Sequence, residues 1–450
     1  MGKNIKSAFL MHKNIELARI NVSNTDDIIL EYVNKNAKEH IPLGGLTGQE
    51  IRGYKAWWDQ RAVPPTRPGA ELALKKLGYN STKHMVINNL GLSLNDCYWL
   101  KPYDSDIRWE DINLFQNDFK DYFGSLSLDP SININMDTLD SFAPSATNGI
   151  TPKKWMINPS GKRFLIKYSD DFDCQQAMNE VFATNVHSTQ DFENYIKYQR
   201  ISLKFMDETI GIACACESFC DENTELITAG DVLRTTRYPS GLSVIYPIRE
   251  AIINMGLRAE EFDRQIDYQI MFDYLISNTD RHMSNIGFLR DPDTLNIKGM
   301  APIYDNGNSM LIKSYYSYQT DPNKDVKVHS FEKTERLLLK HVKDRSIFNL
   351  DKISNISFDA FKTTSGENFW AIDYLKNAFY LKVELLHSFQ KGIDIWNNNK
   401  FPGIVVNKTI PHHHNNIMDT FAGQYASQKA HNNNADHKTN IPSKNNEHLK

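Results

Sequence analysis

The sequence of 450 residues has no long apolar run, no surplus of basic charge and few cysteines. No stretch approaches the roughly 18 apolar residues of a membrane-spanning helix, and the amino-terminal residues lack the apolar core of a signal peptide. The formal net charge is −4 and no run of Lys and Arg stands out, so the electrostatic signature of a nucleic-acid-binding protein is missing. These absences predict a cytoplasmic protein that binds neither membranes nor nucleic acids directly.

The five cysteines are an odd number in a long chain, which argues against a disulfide framework. Cys214, Cys216 and Cys220 lie close together in "IGIACACESFC" and could in principle bind zinc. The pattern favours a buried strand in which cysteine serves as a small hydrophobic residue.

Hydrophobic residues make up 40% of the chain, enough for one large core or two to three smaller ones. Residues 1–135 mix short helical patterns with aromatic-rich loops, and we interpret them as an accessory region of unassigned function. Residues 136–225 read as strand, strand, helix, strand, strand, which predicts a small β-rich lobe. Residues 226–405 are mainly helical, with one helix reaching about residue 276 and later helices around 330–345 and 368–397. Residues 406–450 are rich in Asn, His and Lys, which predicts a disordered polar tail. The predicted fold class is therefore α+β.

Polar side chains crowd the stretch "SNTDRHMSNIGFL", residues 277–289, at the end of the predicted helix. Strand-like "NIGFL", the turn signal "RDPD" and "LNIKGMAPIYD" predict an antiparallel hairpin with its midpoint near Thr294 or Leu295. Pairing about that midpoint sets Asn285 opposite Asp305, and cross-strand neighbours lie roughly 5 Å apart. An amide oxygen and a carboxylate at that separation can bind one Mg²⁺ ion. Asp280, in the preceding loop, is a candidate base for an attacking hydroxyl.

Two upstream residues complete a set suited to phosphoryl transfer. Lys167, in "FLIKYS", is a candidate cation for nucleotide phosphates, and Glu180 on the predicted helix is a candidate partner that holds it. The loop from Ser141 to Thr151 precedes the strands, where a loop that covers phosphates would lie. Ser145 and Thr147 in this loop are candidate nucleotide-binding residues and candidate sites of autophosphorylation.

The ordered set "FLIKYS", "NEVFA", "CESF", "NTDRHMSN" and "APIYDNGNS" resembles the HipA-like serine/threonine kinase family, a bacterial branch of the protein-kinase-like fold that includes toxins of toxin–antitoxin pairs. The resemblance covers roughly residues 140–400. It implies a bilobed fold, with a small β-rich nucleotide lobe and a mainly helical carboxy-terminal lobe. It also implies ATP and Mg²⁺ as cofactors and a protein substrate with a Ser or Thr acceptor. Asp280 matches the family's catalytic base, Asn285 and Asp305 match its Mg²⁺ ligands, and Lys167 matches its nucleotide-phosphate lysine.

The same resemblance assigns three further residues. His282 matches the family's loop histidine, which is expected to brace the loop by hydrogen bonding. Glu217 and Phe219 fall where the family's hinge meets adenine and would act mainly through backbone groups. The metal aspartate is followed by Asn306 and Gly307, where ordinary protein kinases have Phe-Gly. Residues 1–135 match no motif of the toxin subfamily, so an antitoxin-type regulator stays an open expectation.

Several alternatives remain open at the level of sequence. Taken singly, Asp280 could cap a helix, Asn285 and Asp305 could be turn formers, and Lys167 could be an ordinary surface lysine. Glu217 could be an ordinary carboxylate at a strand end. The loop "DRHMSN" also fits the D-R-H-x-x-N pattern of phosphoinositide kinases, so a lipid kinase is a rival, and nucleotidyl transfer uses similar metal ligands. A nucleotide-binding pseudokinase scaffold is the non-enzymatic rival.

Overall fold

The computed structural model describes residues 5–43, 51–129, 131–132, 142–144, 151–168, 174–205, 208–312, 325–393 and 395. The strands are β1 (Ser7–His12), β2 (Ile15–Val22), β3 (Ile28–Val33), β4 (Tyr98–Pro102), β5 (Lys153–Ile157), β6 (Arg163–Tyr168), β7 (Gln199–Phe205), β8 (Glu208–Glu217), β9 (Glu225–Thr228), β10 (Gly287–Arg290) and β11 (Ile297–Met300). The α-helices are α1 (Ile51–Asp59), α2 (Ala70–Lys76), α3 (Thr82–Asn88), α4 (Trp109–Ile112), α5 (Tyr122–Leu128), α6 (Gln175–Ser188), α7 (Ala229–Thr235), α8 (Ile245–Asn254), α9 (Ala259–Ile276), α10 (Glu335–Leu339) and α11 (Ile372–Gln390). Short 3₁₀ helices are Lys35–His40, Asp351–Ile353 and Asp359–Phe361. The structure is thus mixed α+β, as the sequence predicts.

The amino-terminal region contains an antiparallel sheet in the order β3-β2-β1-β4. The sequence analysis predicts only helical patterns and loops there, so these strands are an addition. In β2 the buried residues Leu17, Ala18 and Ile20 are not in strict alternation, which hides the period of two that marks a strand. One of the short helical patterns, "GAELALKKLGY", contains α2, and Gly78 follows its end with a φ of +72°.

The predicted order of strand, strand, helix, strand, strand is confirmed by β5, β6, α6, β7 and β8. The four strands form one antiparallel sheet in the order β5-β6-β8-β7. Cys214 and Cys216 are buried in β8, and Cys220 is buried just beyond it. All five cysteines are free thiols, and no cluster of His, Cys, Asp or Glu within the described ranges has the arrangement of a metal site. The interpretation of these cysteines as small core residues is therefore confirmed.

The helices after residue 225 surround the largest hydrophobic core, to which α6, α8, α9, α10 and α11 all contribute. The predicted helix ending near residue 276 is α9. The helices predicted around 330–345 and 368–397 correspond to α10 and α11, which are both shorter than predicted. Beyond α10, the carboxylate of Asp267 on α9 accepts the backbone N–H groups of Lys343 and Asp344 at 3.1 and 2.7 Å. Among the described residues, no helix combines the length and the apolar character needed to cross a bilayer.

The predicted hairpin is present as β10 and β11, which form a third sheet in the order β11-β10-β9. Its register differs from the expectation, because Phe288 pairs with Met300 and neither Asn285 nor Asp305 lies in a strand. The predicted cross-strand pairing of Asn285 with Asp305 is therefore wrong. The pairing shifts at Leu289 and Arg290, and the Asp291 carboxylate accepts the N–H groups of the turn that follows. If the pairing of Phe288 with Met300 continued along both segments, Asn285 would lie opposite a residue two positions before Asp305.

Candidate active site

Lys167 lies at the centre of a buried charge cluster. Its Nζ is 2.6 Å from Glu180 Oε1 and 3.0 Å from Asp305 Oδ1. It also lies 5.0 Å from the centre of the Tyr198 ring, a cation–π distance. Burial favours the neutral amine, but the carboxylates of Asp305 and Glu180 outweigh it and raise the pKa of Lys167. One ammonium group therefore joins β6, α6 and the segment after β11.

The partner predicted for Lys167 occupies the expected place. Glu180 lies on α6 with only 2% of its side chain exposed, and its second oxygen accepts the N–H of Asn306 at 2.9 Å. Burial raises the pKa of Glu180, and the positive charge of Lys167 opposes that rise. Glu180 thus holds the lysine with one oxygen and the backbone next to Asp305 with the other.

The segment that carries Asp305 has an unusual backbone. Asp305 has a φ of +60°, a left-handed conformation that non-glycine residues rarely adopt. Asn179 on α6 stabilises the next turn by donating to the carbonyl groups of Gly307 and Ser309 at 2.7 and 2.8 Å. Burial favours the protonated carboxyl of Asp305, but Lys167 and Lys153 outweigh it and lower the pKa, so that the group is ionised.

Lys153 is a second buried cation that the sequence analysis did not identify. It pairs directly with Lys167 across β5 and β6, so both side chains leave the same face of the sheet. Burial lowers the pKa of Lys153 to about 8, and the Lys167 charge acts in the same direction while Asp305 opposes it. The two lysines are balanced by the carboxylates of Asp305 and Glu180, so this face carries paired charges and places two cationic groups side by side.

The loop after α9 is held in place by Arg281, a residue that sequence reasoning missed. Its guanidinium is buried and makes a two-pronged ion pair with Asp273 on α9. The same group donates to the carbonyl oxygens of Asn285 and Tyr304 and to the side chain of Asn306. Arg281 therefore binds the loop of Asp280 to the segment of Asp305, and this link replaces the predicted strand pairing.

Asp280 is partly exposed at the surface of this loop, and each of its oxygens has one partner. Oδ2 accepts from Asn308 Nδ2 at 2.9 Å, and Oδ1 lies 3.1 Å from His329 Nδ1. The amide of Asn285 is buried and donates to the carbonyl of Asp280 at 3.0 Å. Because its nitrogen is used in this way, the amide oxygen of Asn285 is the atom that would serve a cation.

His282 bonds within the loop. Its Nδ1 accepts the N–H of Ser284 at 3.2 Å, and its carbonyl accepts the N–H of Asn285 at 2.8 Å. Burial lowers the pKa of His282, which favours the neutral ring that can accept this bond. These contacts are those expected of a bracing residue.

The candidate hinge residues lie at the end of β8. The side chain of Glu217 forms a surface ion pair with Lys162 at 2.9 Å, so it does not point to an enclosed adenine site. Phe219 is stacked on Tyr304 with 5.6 Å between ring centres, next in the chain to Asp305. Ser145 and Thr147 lie outside the described residues.

Asp305 and Asn285 offer oxygen atoms as ligands for Mg²⁺. Asp305 supplies an ionised carboxylate and Asn285 an amide oxygen, and oxygen ligands are those Mg²⁺ prefers. A cavity of about 20 Å³ adjoins Asp305, lined also by Thr151, Lys167, Gln176 and Asn308, and it is the size of a single water molecule. The donor chemistry of these residues therefore fits a magnesium site, and Lys167 contacts the Asp305 carboxylate at 3.0 Å in this structure.

The fold of this chain is similar to that of a solved structure. No protein-family model matches the chain, and no curated protein matches it significantly. The solved structure of HipA from Shewanella oneidensis, in a toxin–antitoxin complex with HipB and operator DNA, is 10% identical, covers 86% of this chain and 98% of its own, and has a TM-score of 0.50. The proinflammatory kinase CtkA of Helicobacter pylori is 14% identical over 53% of this chain and 94% of its own, with a TM-score of 0.39. The likeness to HipA shows that this chain has a HipA-like fold, which confirms the resemblance at the level of fold.

Proposed function

We propose that this protein is a phosphotransferase that uses ATP and Mg²⁺, and that it acts as a HipA-like serine/threonine protein kinase. The contact that carries the proposal is the buried ion pair of Lys167 with both Glu180 and Asp305. A surface lysine or a simple turn former would not produce a three-membered charge cluster at the junction of a sheet, a helix and a loop. The HipA-like fold supports the proposal independently of these side chains.

Lys167 and Lys153 are proposed to bind the nucleotide phosphates, and Glu180 to hold Lys167 in the extended conformation that reaches them. Asp305 and Asn285 would hold the metal, which when bound neutralises charge on the phosphates. Transfer of Lys167 from Asp305 to phosphate would free the Asp305 carboxylate for this role. Phe219 and the backbone around Glu217 would contact the base.

Asp280 is proposed to accept the proton of the attacking hydroxyl. Asn308 holds one oxygen of this carboxylate, and the other, which contacts His329 in this structure, would receive the acceptor. His282 would keep the loop in shape without carrying protons, in line with its bond to the backbone of Ser284.

The proposed kinase function also assigns a role to each region of the chain. Residues 136–225 would form the nucleotide lobe and residues 226–405 the lobe with the catalytic loop, with residues 1–135 as an accessory region. HipA of Shewanella oneidensis is in complex with HipB, and by analogy we propose an antitoxin-type protein as a regulator. Ser145 and Thr147 remain proposed sites of autophosphorylation.

Intact-mass analysis of the purified protein after incubation with ATP and Mg²⁺ tests the proposal. We expect a species heavier by one phosphoryl group in the wild type and none in Asp280→Asn, while Asp280→Asn still binds the nucleotide. Asp293→Asn is the matched control, because Asp293 is an exposed aspartate in the hairpin turn that pairs with Lys13. Addition of a whole nucleotide would indicate nucleotidyl transfer, and labelling of phosphoinositide vesicles in place of protein would favour the lipid kinase. Equal phosphorylation in Asp280→Asn and wild type would contradict the assignment of the base.

A further inference from the structure

A second histidine contacts the proposed base from a different part of the chain. His329 Nδ1 lies 3.1 Å from Asp280 Oδ1, and the His329 ring is 5.4 Å from the ring of His282. An ionised carboxylate can accept hydrogen bonds but cannot donate them. In a hydrogen bond to ionised Asp280, His329 Nδ1 is therefore the donor. The sequence analysis did not single out His329, and the proposed function gives it no role.

The backbone of His329 is fixed while its ring is exposed. Its N–H donates to the carbonyl of Thr279, next to Asp280, at 2.8 Å. The same turn is closed by the bond from Val328 N–H to the carbonyl of Lys333 at 3.0 Å. The side chain of His329 is 75% exposed, so rotation about its side-chain bonds can remove the ring from Asp280 without moving the turn.

The two partners of Asp280 differ in how firmly they are held. Asn308, on Oδ2, also accepts from Gln176 Nε2 at 3.1 Å with its own amide oxygen, and its carbonyl accepts from the N–H and the hydroxyl of Thr279. The ring of His329, on Oδ1, is exposed and lies near one other described side chain, the ring of His282. An incoming hydroxyl that donates to Asp280 would therefore replace His329 and not Asn308.

We propose that His329 occupies the position of the acceptor hydroxyl on Asp280 Oδ1, so that an acceptor has to displace its ring. The proposal rests on the proposed function, since it assumes that Asp280 is the base. When an acceptor binds, its hydroxyl takes the place of the imidazole on Oδ1. The acceptor oxygen then forms a bond to the γ-phosphorus, the bond from that phosphorus to the ADP oxygen breaks with its electron pair leaving on ADP, and the acceptor proton passes to Oδ1.

Hydrolysis of ATP tests this inference with water as the acceptor, so that no protein substrate has to be known. Steady-state phosphate release from ATP and Mg²⁺ is measured for wild type, His329→Ala and His329→Asn. An exposed polar contact of this kind changes an equilibrium by roughly twofold to fivefold, and we expect His329→Ala to raise the rate by that factor with the KM for ATP unchanged. His329→Asn places an amide donor at the position of Nδ1 and should return the rate to that of wild type.

The matched control is His387→Ala, because His387 is a partly exposed histidine on α11 whose nearest carboxylate is Asp351 at 4.0 Å. We expect its rate to equal that of wild type. A rate for His329→Ala that is equal to or below wild type would overturn the inference, as would an Asn variant that behaves like the Ala variant.

A double variant separates this inference from the proposed function. We expect Asp280→Asn to abolish hydrolysis both alone and together with His329→Ala. If Asp280→Asn alone is as active as wild type, the proposed base is wrong. If Asp280→Asn is inactive but His329→Ala shows no increase, the base assignment stands and the role of His329 is refuted.

Discussion

Replacement of Lys167 by Met removes the cation between Glu180 and Asp305 and keeps most of the apolar stem. The cost falls mainly on Glu180, since its side chain is 2% exposed whereas that of Asp305 is 36% exposed and can be hydrated. Removal of one partner from a buried ion pair typically costs about 3–5 kcal/mol. We expect a loss near the lower value, about 3 kcal/mol, because Glu180 keeps its bond from the N–H of Asn306.

The assay is chemical denaturation followed by circular dichroism, at neutral pH and near pH 5. Burial already raises the pKa of Glu180, and loss of Lys167 removes the charge that opposes that rise. Glu180 is therefore protonated more readily in the folded variant than in its unfolded chain, so the destabilisation should grow as the pH rises and shrink as it falls.

A second substitution separates stability from nucleotide binding. Adding Glu180→Gln to Lys167→Met removes the buried charge and should restore about 2 kcal/mol. Binding of an ATP analogue, measured by calorimetry, should be weaker than in wild type in both variants because one of the two proposed phosphate cations is missing. A Lys167→Met protein as stable as wild type, or one that binds the analogue with wild-type affinity, would refute this reasoning.

Two further substitutions test buried ion pairs, one at Arg281 in the candidate site and one at Glu225, which pairs with His12 on β1 and Arg290 on β10. Arg281→Met should lower the free energy of unfolding by about 3–5 kcal/mol, measured by urea denaturation, because Asp273 is left buried without its partner; an unchanged stability would contradict the role of Arg281 in joining the two segments. Burial would raise the pKa of Glu225, but His12 and Arg290 outweigh it and lower it to about 2. The stability from Glu225 is present above its ordinary value of 4.5 and is lost as the pH falls towards 2, and Glu225→Gln should remove about 3 kcal/mol of this acid dependence in a pH titration of unfolding.

The parts of the structure that local patterns determine could be predicted from the sequence. The β5–β6 hairpin has a turn signal between two apolar runs, and α9 has an apolar residue at nearly every fourth position. The link between Lys167 and Glu180 follows from a strand and a helix that are adjacent in the chain. The placement of Asp280 after the end of α9 was predictable for the same reason.

The parts that depend on tertiary contacts could not be predicted. The hairpin register depends on a shift at Leu289 and Arg290 that leaves no composition signal. Arg281 joins groups from residue 273 to residue 306, and nothing in its neighbours marks it as a buried group. His329 reaches Asp280 from 49 residues further along the chain, a contact that a single sequence does not encode by spacing.

The most direct measurement is a crystal structure of the protein with Mg²⁺ and a non-hydrolysable ATP analogue. We expect the metal to be bound by Asp305 and Asn285, the ammonium group of Lys167 to contact phosphate while Glu180 keeps its bond to the lysine, and Asp280 to face the terminal phosphate. Nucleotide bound away from Lys167, or a metal that contacts neither Asp305 nor Asn285, would contradict the assignment of this cluster as a phosphoryl-transfer site.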